Sequence, residues 1–303
     1  MDNRIQGIIT KGIGGTYTVG ASNGVFYLCQ IRGGIRKSGL TPSVGDNVLI
    51  SESGDPDIPY VIEKILPRKN SIVRPPLANV DALILCFAVK NPEPDLKLLD
   101  KMLIICGKNG IKPIIVFTKC DLDREYAQEL YKDYSSTGVL CFMSEEENKP
   151  SVDELFEACG DSVLVGFAGP SGVGKSTLCN SIIGLEMMEV GNISERLGRG
   201  KHTTRHVELF FYKDKYLTDT PGFTSLDLFE LGYEYKDVIL GYPDIKELGE
   251  GCRFDDCRHI SEIGCVVKPQ IGDTISADRY NRYKEFNEFL YSMRNNYSGG
   301  NRK

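Results

Sequence analysis

A chain of 303 residues exceeds one typical domain, so two or three are expected, each able to bury its own core. With 41% hydrophobic and 26% charged residues it reads as a soluble globular protein, and a net charge of −6 argues against indiscriminate nucleic-acid binding. No apolar run approaches the roughly 20 residues of a membrane span, and Met1-Asp2-Asn3-Arg4 does not open a signal peptide, so a cytoplasmic protein without a membrane partner is expected. The ten cysteines are mostly isolated in apolar runs (Cys86, Cys106, Cys179), where cysteine acts as a small buried hydrophobe rather than part of a secreted disulfide framework.

The charge is unevenly spread. No Asp or Glu occurs from Asn3 to Gly45, which carries Arg4, Lys11, Arg32, Arg36 and Lys37. A second acid-free stretch, Arg196 to Val207, carries Arg199, Lys201, Arg205 and two of the three histidines. Local basic surface on an acidic chain suits one specific polyanion, although an ordinary solvated face explains the N-terminal stretch equally well.

Residues 4 to 66 predict five short strands, Ile5–Thr10, Thr16–Ala21, Gly24–Ile31, Asn47–Ser53 and Tyr60–Ile65, with turn residues between them and no helix. That pattern predicts a small barrel of the OB type, with the loop from Arg32 to Lys37 as a source of phosphate contacts; an SH3-like barrel without RNA affinity fits as well. Pro67 to Leu77 is a proline- and charge-rich connector. The pattern then alternates: strand Ala82–Val89, helix Leu96–Asn109, strand Lys112–Phe117, helix Glu125–Ser135, strand Gly138–Met143, and later the strand pair Val207–Tyr212 and Lys215–Thr218. Such alternation predicts an α/β fold with a mostly parallel sheet.

Gly169-Pro170-Ser171-Gly172-Val173-Gly174-Lys175-Ser176, followed by Thr177, fits the phosphate-loop pattern G-x-x-x-x-G-K-[ST] and sits between an apolar strand and a helix. Its backbone N–H groups would surround phosphate oxygens, Lys175 would reach the β- and γ-phosphates, and Ser176 would ligate Mg²⁺. Thr118-Lys119-Cys120-Asp121, at the end of a strand, looks like the guanine-reading [NT]-K-x-D motif. The Asp121 carboxylate can accept both N1–H and N2–H₂ of guanine, while the Lys119 stem covers the base. The end of the next strand, near Ser144, is a further candidate base contact. Asp219-Thr220-Pro221-Gly222 resembles the D-x-x-G element, in which Asp219 holds a Mg²⁺-bound water and Gly222 senses the γ-phosphate. Between them, Gly198 to Arg205 falls where a first switch belongs; Thr203 or Thr204, taken as Thr204, would complete the Mg²⁺ shell.

The order of these motifs is informative. Ordinary GTPases meet the phosphate loop first and the base-reading motif last, whereas here Thr118–Asp121 precedes Gly169–Ser176 and Asp219–Gly222 closes the domain. The domain is read as circularly permuted, which is tolerated where termini lie close together. Further on, Cys252, Cys257, His259 and Cys265 have the spacing C-x₄-C-x-H-x₅-C, a closed Cys₃His set suited to one structural Zn²⁺. Arg258 and Lys268 leave that module able to contact phosphate. A helix over Asp278–Arg294 carries Tyr280, Tyr283, Phe286, Leu290 and Met293 on one stripe, expected to pack on the zinc module, and 295–303 form a polar tail.

Barrel, permuted GTPase and Cys₃His module together resemble the bacterial ribosome small-subunit-dependent GTPase A family (RsgA) over essentially the whole chain. The resemblance implies three domains, 1–68, 69–230 and 231–303. It also implies a cytoplasmic enzyme that hydrolyses GTP to GDP with Mg²⁺ and binds the 30S subunit and its 16S rRNA; a monomer is expected. On the same resemblance, it acts late in subunit maturation, its hydrolysis stimulated by the subunit and coupled to release. His202 resembles the family's proposed catalytic histidine; contact with RNA or packing of the switch is the alternative. Phe223 stands where many GTPases carry a water-orienting Gln, so intrinsic turnover is expected to be slow. Two other classes fit the residues: an RNA-binding assembly factor using nucleotide only as a latch, and a guanine-nucleotide sensor with no ribosomal partner.

Overall fold

The computed structural model describes residues 4–22, 24–37, 40–73, 76–175, 177–178, 207–219 and 226–298. The chain divides into two compact units, Met1–Leu83 with Ser151–Ala168 and Lys175–Phe223, and Ile84–Pro150 with Gly169–Gly174 and Thr224–Lys303.

The first unit opens with the barrel. Strands β1 (Ile5–Ile13), β2 (Thr16–Ala21), β3 (Phe26–Ile31), β4 (Asn47–Glu52) and β5 (Tyr60–Ile65) close in the order β1-β2-β3-β5-β4, with β1 pairing β4. Only β3 and β5 pair in parallel, as an OB-type barrel requires. Ile9, Val19, Cys29, Val48, Ile50 and Ile62, one or two from each strand, are fully buried inside it. Two expectations are corrected here. A short helix, α1 (Gly33–Lys37), replaces the helix-free loop. Strand β3 starts two residues late because Ala21 and Gly24–Val25 form a turn, with Gly24 at φ +77°.

The connector is pinned to the barrel. Strands β6 (Ser71–Ile72) and β7 (Leu77–Ala78) pair with each other, and the Ala78 N–H donates to the Val44 carbonyl. Arg68 donates to both oxygens of the buried Asp46 at 2.6 and 2.8 Å. At Gly45 (φ +89°) a Cβ would lie 2.1 Å from the Ala78 carbonyl oxygen, so only glycine fits.

Strand β8 (Ala82–Ala88) is buried along its whole length and carries residues of both units. The second unit continues with α2 (Leu96–Asn109), β9 (Lys112–Thr118), α3 (Arg124–Ser135) and β10 (Leu140–Ser144). Helix α2 starts at Asp95, whose carboxylate accepts from the Leu98 N–H, and ends at Gly110 in the left-handed region. Back in the first unit come α4 (Val152–Cys159), β11 (Leu164–Ala168), β12 (Phe210–Tyr212) and β13 (Lys215–Asp219). The six strands run in the order β10-β9-β8-β11-β13-β12. β10 pairs parallel with β9 and β11 with β13, while β12 is an antiparallel edge, so the sheet is mostly parallel as expected. Strand β12 is shorter than expected because Leu209 donates to the Thr10 carbonyl and Glu208 bridges Lys11, drawing that stretch onto β1.

The rest of the second unit is a 3₁₀ segment (Tyr235–Gly241), α5 (Pro243–Gly249), the Cys/His loop and α6 (Ala277–Ser298). The 3₁₀ segment lies directly on α2. A Cβ at Gly107 would come within 2.1 Å of the Leu240 carbonyl, and one at Gly241 within 2.6 Å of Ile104. Helix α6 is anchored by the fully buried Asp100 of α2, which accepts from Tyr134, Tyr242 and Arg282 at 2.8, 2.9 and 2.6 Å. A buried carboxylate with three donors is satisfied, and its loss would orphan all three.

Candidate functional site

Within the second unit, β9 delivers Thr118 and Lys119 to the phosphate loop. The Thr118 hydroxyl donates to the Val173 carbonyl, and Lys119 Nζ donates to the Gly172 carbonyl at 2.8 Å and to the Asn91 carbonyl. Lys119 adopts φ +56°, a left-handed turn that lets consecutive side chains reach the same loop. Asp121 follows in the 3₁₀ turn Cys120–Leu122, exposed and, among the described residues, engaged in no hydrogen bond or ion pair, so its carboxylate is available to a base. Register places Ser144, buried at the end of β10, beside Thr118.

The loop itself carries the backbone strain that a phosphate cradle needs. Gly169, Gly172 and Gly174 have φ of +140°, +78° and +94°. A Cβ at Gly169 would lie 2.1 Å from the Cys86 carbonyl oxygen, so this position admits only glycine. Pro170 and Ser171 lie in the turn that follows, and helical backbone begins at Lys175, which is buried, with Thr177 exposed. In the first unit, Asp219 ends β13 in register with Phe167 of β11, a carboxylate at a strand terminus as a D-x-x-G element requires. Ser176, Thr203, Thr204, His202, Gly222 and Phe223 lie outside the described residues.

The zinc expectation meets a direct geometric test. The donor atoms of Cys252, Cys257, His259 and Cys265 all lie within 4.8 Å of one another. His259 Nδ1 is 3.5 Å from Cys252 Sγ and 3.6 Å from Cys265 Sγ, and those sulfurs are 4.0 Å apart. A tetrahedral zinc with Zn–S of about 2.3 Å and Zn–N of about 2.0 Å demands roughly 3.5 Å and 3.8 Å for these separations. The donor set fits the ion. Burial pushes the His259 imidazole below its ordinary value, with Glu262 opposing, so the ring is held in the neutral form a metal ligand needs.

Sequence reasoning did not identify the residues that hold this loop. The Tyr280 and Tyr283 hydroxyls of α6 donate to the carbonyls of His259 and Arg258 at 2.8 and 3.0 Å, so the apolar stripe also orients a ligand. Glu262 accepts the N–H groups of Arg258, Ile260 and Ser261 at 3.2, 2.9 and 3.0 Å. Burial alone would raise its carboxyl, but these donors outweigh it and hold the group below the usual range. Gly249 leaves room for the ring: a Cβ there would come within 2.7 Å of His259 Nε2 and Cε1.

The basic residues singled out for phosphate are partly engaged inside the protein. Lys11 pairs with Glu208 at 2.9 Å, and Arg32 pairs with Glu63. The Arg258 guanidinium lies 3.8 Å over the Tyr291 ring and donates to Asn287, a packing role rather than an open phosphate contact. The acids come from remote segments, which is why the N-terminal stretch looked uncompensated.

Comparison with known proteins matches this arrangement to two family descriptions, the RsgA N-terminal domain over residues 6–57 and the RsgA GTPase over residues 65–229. The chain belongs to the RsgA family. Relatives named small ribosomal subunit biogenesis GTPase RsgA, from Clostridium novyi and Clostridium acetobutylicum, are each 42% identical. The alignments cover 96% and 97% of this chain and 99% and 100% of those proteins. Among solved structures, YloQ, described as a circularly permuted GTPase, superposes with a TM-score of 0.77 at 31% identity over 96% of each chain. YjeQ from Thermotoga maritima gives 0.75 at 31% identity, over 95% of this chain and 99% of that one. Family membership makes the chain a GTP-hydrolysing enzyme, and the permuted motif order agrees with the YloQ description.

Proposed function

We propose that this GTPase acts in the late biogenesis of the small ribosomal subunit, binding the 30S particle and its 16S rRNA and leaving after hydrolysis. The hydrogen bonds from Thr118 and Lys119 to the carbonyls of Val173 and Gly172 carry the nucleotide part of this reading, because they tie the base-reading motif to the phosphate loop. The name shared by the Clostridium relatives supports the ribosomal part. Asp121 reads guanine; the loop from Gly169 to Thr177 holds the phosphates. Ser176, Thr204 and Asp219 would hold Mg²⁺, which would supply charge neutralisation at the phosphates, and Gly222 would sense the γ-phosphate. His202 serves hydrolysis from the first switch when the subunit is bound. Cys252, Cys257, His259 and Cys265 hold one structural Zn²⁺, which supplies folding free energy to a loop-rich module. The chain works as a cytoplasmic monomer in three parts: a barrel over 1–68, a permuted GTPase over 69–230 and a zinc module over 231–303.

Co-sedimentation with purified ribosomal particles in a non-hydrolysable GTP analogue tests the partner. Binding to 30S and not to 50S is expected. Failure to sediment with either would favour the guanine-nucleotide sensor.

A further inference from the structure

The first unit contains a cleft of 630 Å³ that none of the motifs accounts for, bounded by β1, β2 and β3 of the barrel and by the β12–β13 hairpin. This volume lies within the range of small-molecule sites, roughly 300–1,000 Å³. Gly20, which carries no side chain, lies at the floor. A Cβ on Gly20 would come within 3.1 Å of both Phe26 Cε1 and Tyr216 Oη.

Three aromatic rings line the cleft. Phe26 and Phe211 are 55% and 57% exposed, unusual for phenylalanine at two places bordering one cleft. Phe211 pairs with Tyr216 across the hairpin, their rings 5.1 Å apart. Tyr216 is only 8% exposed, yet its hydroxyl, at the cleft floor, makes no hydrogen bond among the described residues. The hydroxyl opens onto the cleft and so offers a donor to whatever occupies that space. Burial raises the Tyr216 phenol above its ordinary value, so it stays protonated and able to donate.

The polar rim narrows the ligand class. Gln6, Asn47 and Asp214 also make no side-chain hydrogen bond or ion pair among the described residues. Asp214 is the one charged side chain among the described lining residues, and none of those residues is a lysine or arginine, so they offer a phosphate or carboxylate no counter-charge. Flat apolar faces, one hydroxyl donor on the floor, an acceptor carboxylate and amides at the rim match a planar ring with acceptors on one edge and an N–H on another.

We infer that this cleft binds an uncharged planar nitrogen heterocycle of the nucleobase class, stacked against Phe26 and Phe211 with an edge acceptor on the Tyr216 hydroxyl. Any phosphate attached to the base stays outside. The base comes either from a free nucleoside or from an unstacked position in single-stranded RNA, and the inference does not depend on the ribosomal reading. Aromatic stacking tolerates any base, and the rim then sets preference.

Equilibrium dialysis of the full chain, with the GTPase site saturated by Mg·GDP, tests it against adenosine, cytidine and uridine and against a short unstructured oligoribonucleotide. Saturable binding of at least one of these is expected, about tenfold weaker in Phe26→Ala. Tyr216→Phe, which keeps the ring, should weaken it about threefold or more. Both variants should keep the parent's GDP affinity, which separates this site from the nucleotide site. Nucleoside binding as tight as oligonucleotide binding identifies a free ligand; binding of the oligonucleotide alone identifies RNA. No binding of any probe, or binding unchanged in both variants, overturns the inference, even with 30S association intact.

Discussion

The Thr118 hydroxyl donates to the main-chain carbonyl of Val173, so the strand that leads into the base-reading turn is also tied to the phosphate loop. The commoner residue at this position is Asn, and the structure shows what threonine retains: a donor short enough to reach the loop from a buried strand end. Thr118→Val keeps the shape, removes the donor and leaves the Val173 carbonyl without that bond. About a tenfold loss of GDP affinity is expected, near 1.4 kcal/mol. Preference for guanine over adenine should survive, because Asp121 carries it. Titration with a fluorescent GDP analogue measures both, and an unchanged affinity would show that the Thr118–Val173 bond does not support nucleotide binding.

Gly169 and Gly172 both adopt positive φ but differ in surroundings. At Gly169 a methyl group meets the Cys86 carbonyl at 2.1 Å; at Gly172 it meets nothing within 4 Å. Gly172→Ala should cost about 1–2 kcal/mol of backbone strain, whereas Gly169→Ala adds a main-chain clash worth about 3 kcal/mol or more. Thermal unfolding of the two variants without nucleotide gives the order. Equal Tm values would contradict the close approach.

Gly249 gives the metal centre a test independent of its ligands. Alanine there would strike the His259 ring at 2.7 Å and turn Nδ1 away from the sulfurs. Gly249→Ala should lower zinc stoichiometry in the purified chain, and chelation of the parent should lower its Tm to near that of the variant. Full zinc occupancy in Gly249→Ala would show that His259 tolerates displacement.

Glu262 predicts a pH dependence with a definite sign. Its carboxyl lies below the usual range when folded, so its stabilisation is fully present above its unfolded value, near pH 4.3. It is lost as pH falls through the lower folded value. Glu262→Gln should therefore be less stable than the parent at neutral pH, the gap closing below about pH 4. Denaturant unfolding of both proteins at each pH isolates this group from proton uptake by the metal ligands. A gap that widens on acidification would reverse the assignment.

Much of this molecule could be read from its residues. Strands β8 and β9 are continuous apolar runs, and Asp95 with Gly110 marks both ends of α2. The motif spacings singled out Thr118 and Lys119, which meet the phosphate loop, and the four Cys and His residues, whose donor atoms cluster, because each set is local in sequence. Helix α4 was missed although Ser151 and Glu154 form a capping box, a signal lost in an eight-residue element beside charged turns. Other features were not legible in one dimension. The contact of Gly107 and Gly241 with the facing backbone, the pairing of Lys11 with Glu208, and the N–H groups gathered by Glu262 depend on remote segments meeting. The left-handed turn at Lys119 is a cost that the loop contacts hold in place, and no local propensity announces it.

The central claim is a slow permuted GTPase switched on by the small subunit, and GTP turnover measures it directly: the chain alone, with 30S and with 50S. Low basal turnover and strong stimulation by 30S only are expected, with His202→Ala keeping GTP binding but losing the stimulation. Equal turnover in all three conditions would contradict it.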